Sequence, residues 1–297
     1  EALKLNTTAN NNTAVGYQAG ISNTTGTSNV VLGNQALYTN TTASRNVAVG
    51  YQARYGSDTE SQDTVAIGYT AMYLGSATTA DASYSTAIGS GAMYAGSATT
   101  ASLVDNVAMG VSALRLDTTT TGAVTQNVAL GVAALQAATN TTGQYVENTG
   151  VGYLALRCVG ATTQNILYCT GIGAESLYYN TGSYNTALGY KAAFNNRSGS
   201  YNTAIGQQAL AANDTASNNT AVGYQAGYNL ITSGENTAVG YQALYTNTAS
   251  GDNVAIGRNA LKLSTGAGNT VIGEGGGSAI TTGAKNTILG RYTGSAA

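Results

Sequence analysis

The side chains that could do chemistry in this 297-residue chain are few, and there is no histidine among them. Ser-His-Asp and Cys-His nucleophilic arrangements are therefore excluded, and a hydrolase here would need paired carboxylates. The tightest acidic group is Asp58, Glu60 and Asp63, which reads as a solvated loop rather than a calcium or general-acid site. Glycine pairs such as Gly150 with Gly152 and Gly171 with Gly173 lack the third glycine and following helix of a phosphate-binding loop. The expectation is a non-enzymatic chain with no cofactor and no metal.

Cys158 and Cys169 are separated by ten residues, and a zinc site does not fit that spacing without histidine. They mark the two ends of one excursion, Val159 to Tyr168, so two readings stand: a disulfide stapling that loop, or two small buried thiols. The 21 tyrosines against a single Phe194 bring hydroxyl-bearing aromatic surface, suited to sugar or protein faces. Their regular places, as in Tyr51 and Tyr69 or Tyr38 and Tyr55, favour stacking ladders or subunit contacts over a ligand site. Asn-X-Thr triplets at Asn6, Asn23, Asn40, Asn140 and Asn213 are glycan acceptors in form, but a chain so rich in Asn and Thr produces them by composition.

What must position these groups is a repeat. A five-residue unit, Asn-Thr-Ala-Val-Gly in its commonest form, closes on a glycine sixteen times from Gly16 to Gly290, at intervals mostly of 17 or 21 residues. Regular short periods of this kind mean stacked coils. Asparagine stands four before the glycine in thirteen repeats, as at Asn12, Asn236 and Asn253; Thr64, Ser85 and Cys169 are the exceptions. Identical asparagines one strand spacing apart can hydrogen-bond up the stack. Glycine at one corner, as at Gly16, Gly240 and Gly257, implies a backbone angle or close approach that a Cβ forbids.

The residue before each glycine is aliphatic in all sixteen repeats, including Val239 and Ile256, and is expected to be the core column. A charge at Ile205 is then expected to disrupt folding. The small residue two before the glycine falls on the opposite face of the strand, where it would permit close packing by another subunit. Short apolar runs bounded by Gly, Asn, Ser and Thr predict two strands per coil, and the β-branched runs disfavour helix.

The fold expected is all-β, a parallel β-solenoid of about 16 coils, each of 17 to 21 residues. The division is a lead-in over 1–11, one solenoid over 12–294 with wider coils at about 68–173, and a tail at 295–297. At the spacing of neighbouring strands the rod would be on the order of 75 Å long. The extra residues of the wide coils are expected to stack into a raised patch. Tyr84, Asp117, Tyr145 and Tyr168 are its candidate receptor-binding residues.

Charged residues make up 8% of the chain and the net charge is -2, which leaves no basic face for nucleic acid. No apolar stretch is long enough to cross a membrane as a helix. The absence of proline fits a chain whose backbone N–H groups are wanted by neighbouring coils. The first residue, Glu1, is not Met, which suggests a processed product or a segment of something longer. A neutral surface rich in Thr, Asn, Ser and Tyr points to an extracellular fibre.

Asn-Val-Ala-Ile-Gly at 253–257 and Asn-Val-Ala-Val-Gly at 46–50 resemble the head repeats of trimeric autotransporter adhesins. The longer Asn-Thr-Ala-Val-Gly-Tyr-Gln-Ala-Leu-Tyr-Thr-Asn at 236–247 is similar to repeats of phage tail fibres. The resemblance implies a left-handed β-roll, a homotrimer about a common axis, and adhesion to a cell-surface glycan or protein. Stalk heptads and membrane-anchor strands do not appear, which favours a virion tail fibre over a bacterial surface adhesin head or a self-assembling extracellular filament. An ice-binding solenoid stands behind these, because its threonine column alternates with Val.

Overall fold

A computed structural model describes residues 1–56, 61–75, 81–96, 102–116, 122–137, 143–159, 165–248 and 250–291. It is a parallel β-solenoid of about fifteen turns, with no helix among the described residues. The chain forms two compact units, one of residues 1–154 with 159–167 and one of 155–158 with 168–297. In the first unit eight three-residue strands, from Thr13–Val15 to Thr149–Val151, pair in parallel from coil to coil. The second unit holds eight more, from Thr170–Ile172 to Thr287–Leu289. Register does not slip: Ala221 stands beside Ala238, and Ala238 beside Ala255.

The strands are short because the backbone keeps turning. Around Gly50, residues Arg45, Gln52 and Arg54 have φ of 61°, 50° and 48°, and the glycine itself 132°. Left-handed conformations cost about 1–2 kcal/mol each for residues with a Cβ, so something must hold them. Neighbouring coils do: Arg45 and Gln52 donate their N–H groups back to Thr27 and Asn34, while Arg54 donates forward to Ala71. Among the described residues the expected second strand of each coil is therefore mostly absent, since left-handed residues two and four past the glycine break any extended run.

The core is on the other face of the strand from the one expected. Ala48, Ala66, Ala87, Ala204 and Ala238, each two before its glycine, are wholly buried. The aliphatic next to the glycine faces out: Val15 is 58% exposed and Ile205 36%, and Val239 and Ile256 lie on this outward side too. The reason is volume. The interior of a 17-residue coil already holds the alanine three past the glycine and the long side chain after it, as in Ala36 with Leu37 or Ala243 with Leu244. In most coils a methyl fits between them; where buried Val31 or Val271 takes this place, glycine stands beside it, at Gly20 and at Gly276 and Gly277.

The wide coils of the first unit spend part of their added length on a larger interior. Leu103, Val124, Tyr145 and Ile166, each seven before its glycine, are fully buried and stack coil on coil. Strands Val124–Thr125, Tyr145–Val146 and Ile166–Leu167 form a second parallel sheet there. Leu74, Ala95, Leu116 and Ala137 add another buried column joined by parallel bridges.

Candidate functional site

The asparagine ladder is built from atoms that each serve two coils. The Asn12 side-chain oxygen accepts the Asn29 backbone N–H at 2.9 Å, and its amide donates to the Gly26 carbonyl at 2.8 Å. Asn253 repeats this on Asn236, giving that oxygen both its backbone N–H and its side-chain amide at 3.1 Å. Most of these asparagines are buried, where an unpaired amide would be costly. The exceptions keep the chemistry. Ser85 Oγ donates to the Leu103 carbonyl at 2.7 Å and accepts the Asn106 N–H at 3.1 Å. Cys169 Sγ donates to the Gly182 carbonyl at 3.3 Å and accepts the Asn185 N–H.

The glycine column closes the corner. A Cβ on Gly240 would sit 2.6 Å from the Gly257 carbonyl oxygen, and one on Gly257 at the same distance from that of Gly273. At Gly16 the Gly33 carbonyl is as close. From Gly16 to Gly273 φ lies between 125° and 146°, and no other residue fits both the angle and the approach.

Cys158 and Cys169 are free thiols, so the disulfide reading is not what the structure holds. Each occupies a place that other coils fill with an interior residue, Cys158 that of Ala95 and Ala137 and Cys169 that of the ladder asparagine, so both side chains point inward instead of across a surface loop. Burial pushes the Cys158 thiol well above its ordinary range and that of Cys169 up to about 11. Neither is an available nucleophile at neutral pH.

The candidate receptor residues part company. Tyr84 and Tyr168 are exposed at equivalent corners with φ of 58° and 57°, and Tyr168 stacks on Tyr184, which stacks on Tyr201, at 5.1 and 4.8 Å between centroids. Tyr145 is fully buried in the widened interior and cannot meet a receptor. Its parity within the inserted segment turns it inward. Asp117 lies outside the described residues.

Other tyrosines form ladders, as their spacing predicts. Tyr38, Tyr55, Tyr73 and Tyr94 stack in sequence at 5.0–5.3 Å, and Tyr51 stacks on Tyr69 at 5.3 Å. The triplet asparagines Asn23, Asn40 and Asn213 are buried and bonded, Asn40 giving its amide to the Asn23 oxygen at 2.8 Å, so they are a second ladder seven past the glycine and not glycan sites. Asn6, Asn180 and Asn196 share that column, a regularity that reading the triplets as composition hides. Of the acidic group, Asp63 is ion-paired with Arg45 at 2.6 Å, and Asp58 and Glu60 lie outside the described residues.

Sequence reasoning also passed over Arg54, which is buried where most coils place Leu or Met and donates to the Ser61 carbonyl at 2.5 Å. Among the described residues no group of acidic, cysteine or histidine side chains is arranged to hold a metal, and no helix is long and apolar enough to cross a membrane. The class defined is a β-solenoid repeat protein with internal amide ladders. No family model matches the chain, and comparison with curated proteins and solved structures finds no similar one.

Proposed function

We propose that this chain is a non-enzymatic structural and adhesive segment of an extracellular fibre, a phage tail fibre shaft or receptor-binding rod, and that it works as a parallel homotrimer. The observation that carries the reading is the outward aliphatic column. In the second unit Ile172, Leu188, Ile205, Ile256 and Ile272 repeat at one place on the coil and stay exposed. An ordered apolar stripe of this kind marks an interaction surface. Covering each half-exposed side chain would contribute on the order of 1 kcal/mol. A parallel association about a common axis lays the same column of each copy against its neighbours, as the resemblance to adhesin heads and tail fibres implies.

Light scattering on the intact chain tests this. Three times the chain mass of 29.8 kDa is expected, and a folded protein at the monomer mass would sink the trimer. For adhesion, Tyr84 and Tyr168 are the exposed residues proposed to meet a glycan or protein receptor. Replacing both by Ala should weaken cell attachment, and undiminished attachment would remove them from the surface. A bacterial adhesin head or a self-assembling filament would share this construction, and imaging the protein on a virion or a cell separates them.

A second reading draws on the same face. Thr186, Thr203, Thr220 and Thr237 stand in register on the outward side of a parallel sheet, next to the aliphatic column. Such a Thr and aliphatic face could order water as an ice-binding surface. Thermal hysteresis in a solution of the monomer would favour it, and its absence would leave the fibre reading alone.

A further inference from the structure

Near the end of the second unit the columns change character, and a cavity of about 340 Å³ opens where they do. Two past the glycine, successive coils carry Gln225, Gln242, Asn259 and then Gly275; five past it they carry Tyr228, Tyr245, Lys262 and then Ser278. The amide ladder that joins Gln242 to Gln225 at 2.8 Å, and the ring stack of Tyr245 on Tyr228 at 5.2 Å, therefore have no continuation at Gly275 and Ser278. A Cβ on Gly275 would meet no described atom within 4 Å. Among the described residues, the space is left where other coils carry longer side chains.

Its lining is chemically specific. Arg258, Lys262 and Arg291 border it, three of the eleven basic residues in the chain, against the single carboxylate of Glu274. Arg258 is held by Glu274 at 2.9 Å. Among the described residues Lys262 and Arg291 have no side-chain partner. The Asn259 side-chain oxygen is shielded from solvent without a hydrogen-bond donor, and Leu263 presents an apolar side chain that is half exposed.

We propose that this cavity binds an acidic saccharide unit, a carboxylate carried on a ring of hydroxyl groups. Two unpaired cations match the carboxylate, Arg291 in a two-pronged fashion and Lys262 as a point charge. The second carboxylate oxygen of Glu274 offers an acceptor, which calls for a ligand that also brings hydroxyl donors; hydrogen phosphate brings one such donor and no ring. Leu263 offers an apolar surface to the ring. The volume lies at the small end of ligand pockets, which suits one or two sugar units. This site is outside the wide coils and does not depend on the receptor surface or the trimer proposed above.

Titration calorimetry of the intact chain with sodium glucuronate tests it, with glucose, acetate and inorganic phosphate as comparison probes. Saturable binding of glucuronate is expected in the millimolar range, on the order of 4 kcal/mol, with glucose, acetate and phosphate each at least about tenfold weaker for want of one half of the recognition. Lys262→Gln and Arg291→Gln should each weaken glucuronate by a similar factor. Gly275→Gln restores the usual column residue, whose φ of 51–57° at Gln225, Gln242 and Gln208 matches the 63° of Gly275. It should fill the cavity and abolish binding with no loss of thermal stability. Absence of glucuronate binding, equal binding of acetate or phosphate, or undiminished binding by a folded Gly275→Gln variant would each overturn the proposal.

Discussion

Asn127 gives both its backbone N–H and its side-chain amide to one atom, the Asn106 side-chain oxygen, at 3.0 and 3.1 Å. The Asn127 oxygen in turn accepts the same two groups from Asn148 at 3.0 and 3.1 Å. A buried side chain thus replaces one rung of backbone pairing at a corner where the strands cannot bond directly.

Asn127→Ala should accordingly lower stability by about 1–3 kcal/mol, because it leaves buried partners unpaired in two coils. Asn127→Ser should lose less, since Ser85 shows a hydroxyl serving this place. Thermal midpoints of the two variants check the order; equal losses would mean that the amide ladder contributes little.

Gly240→Ala should be poorly tolerated. Its φ of 130° and the Gly257 carbonyl 2.6 Å from the added Cβ act together, and the strain should exceed about 3 kcal/mol. Gly290→Ala adds a Cβ with no described atom within 4 Å and should lose only the conformational part. Comparison of the two melting temperatures separates approach from angle.

The two faces of a single strand give a paired test. Ala204 is wholly buried and Ile205 is 36% exposed. Ala204→Asp should prevent folding by placing an unpaired charge in the interior. Ile205→Asp should leave the circular dichroism of a single coil stack intact while lowering the mass seen by light scattering, if the proposed trimer uses this column. Folded trimers of Ile205→Asp would remove the column from the interface.

Stability should also fall in alkali. Both thiols have folded pKa values raised above the ordinary 9.0 by burial, Cys169 to about 11. The unfolded chain loses these protons first, so the contribution is complete below about pH 9 and is lost as pH rises toward 11. A Cys158→Ala, Cys169→Ser double variant should flatten the difference in midpoint between pH 8 and pH 10.5, with the tyrosines common to both proteins. Each substitution has a precedent in the same column, at Ala137 and Ser85.

The period, the glycine corner and the first asparagine ladder were legible because each is one residue type at one place. The inward face was not, and the reason is physical. A three-residue strand such as Thr-Ala-Ile at 203–205 offers too short an alternation to tell its faces apart, and hydrophobicity favours the larger side chain. Alanine, in eleven of the sixteen repeats, was the better signal, since a narrow interior selects for size. Tyr145 misled in the opposite sense: aromatic hydroxyls suggested surface, while the enlarged coil had room for a ring inside. The C-terminal cavity was hidden because it arises from side chains that are missing.

The left-handed residues that punctuate each coil carry one more consequence. Arg45, Gln52 and Arg54 are unfavourable by themselves and become favourable only when the adjoining coils accept their N–H groups. One coil in isolation is therefore a strained ring with no reason to close. Growth of such a stack resembles crystallisation from a seed: the first pair of turns is the slow event, and each later turn is laid down on a finished surface within some seventeen residues of chain. Unravelling should run the same way in reverse, turn by turn from an open end, so that a pulled molecule would release its length in a series of even steps rather than in one rupture.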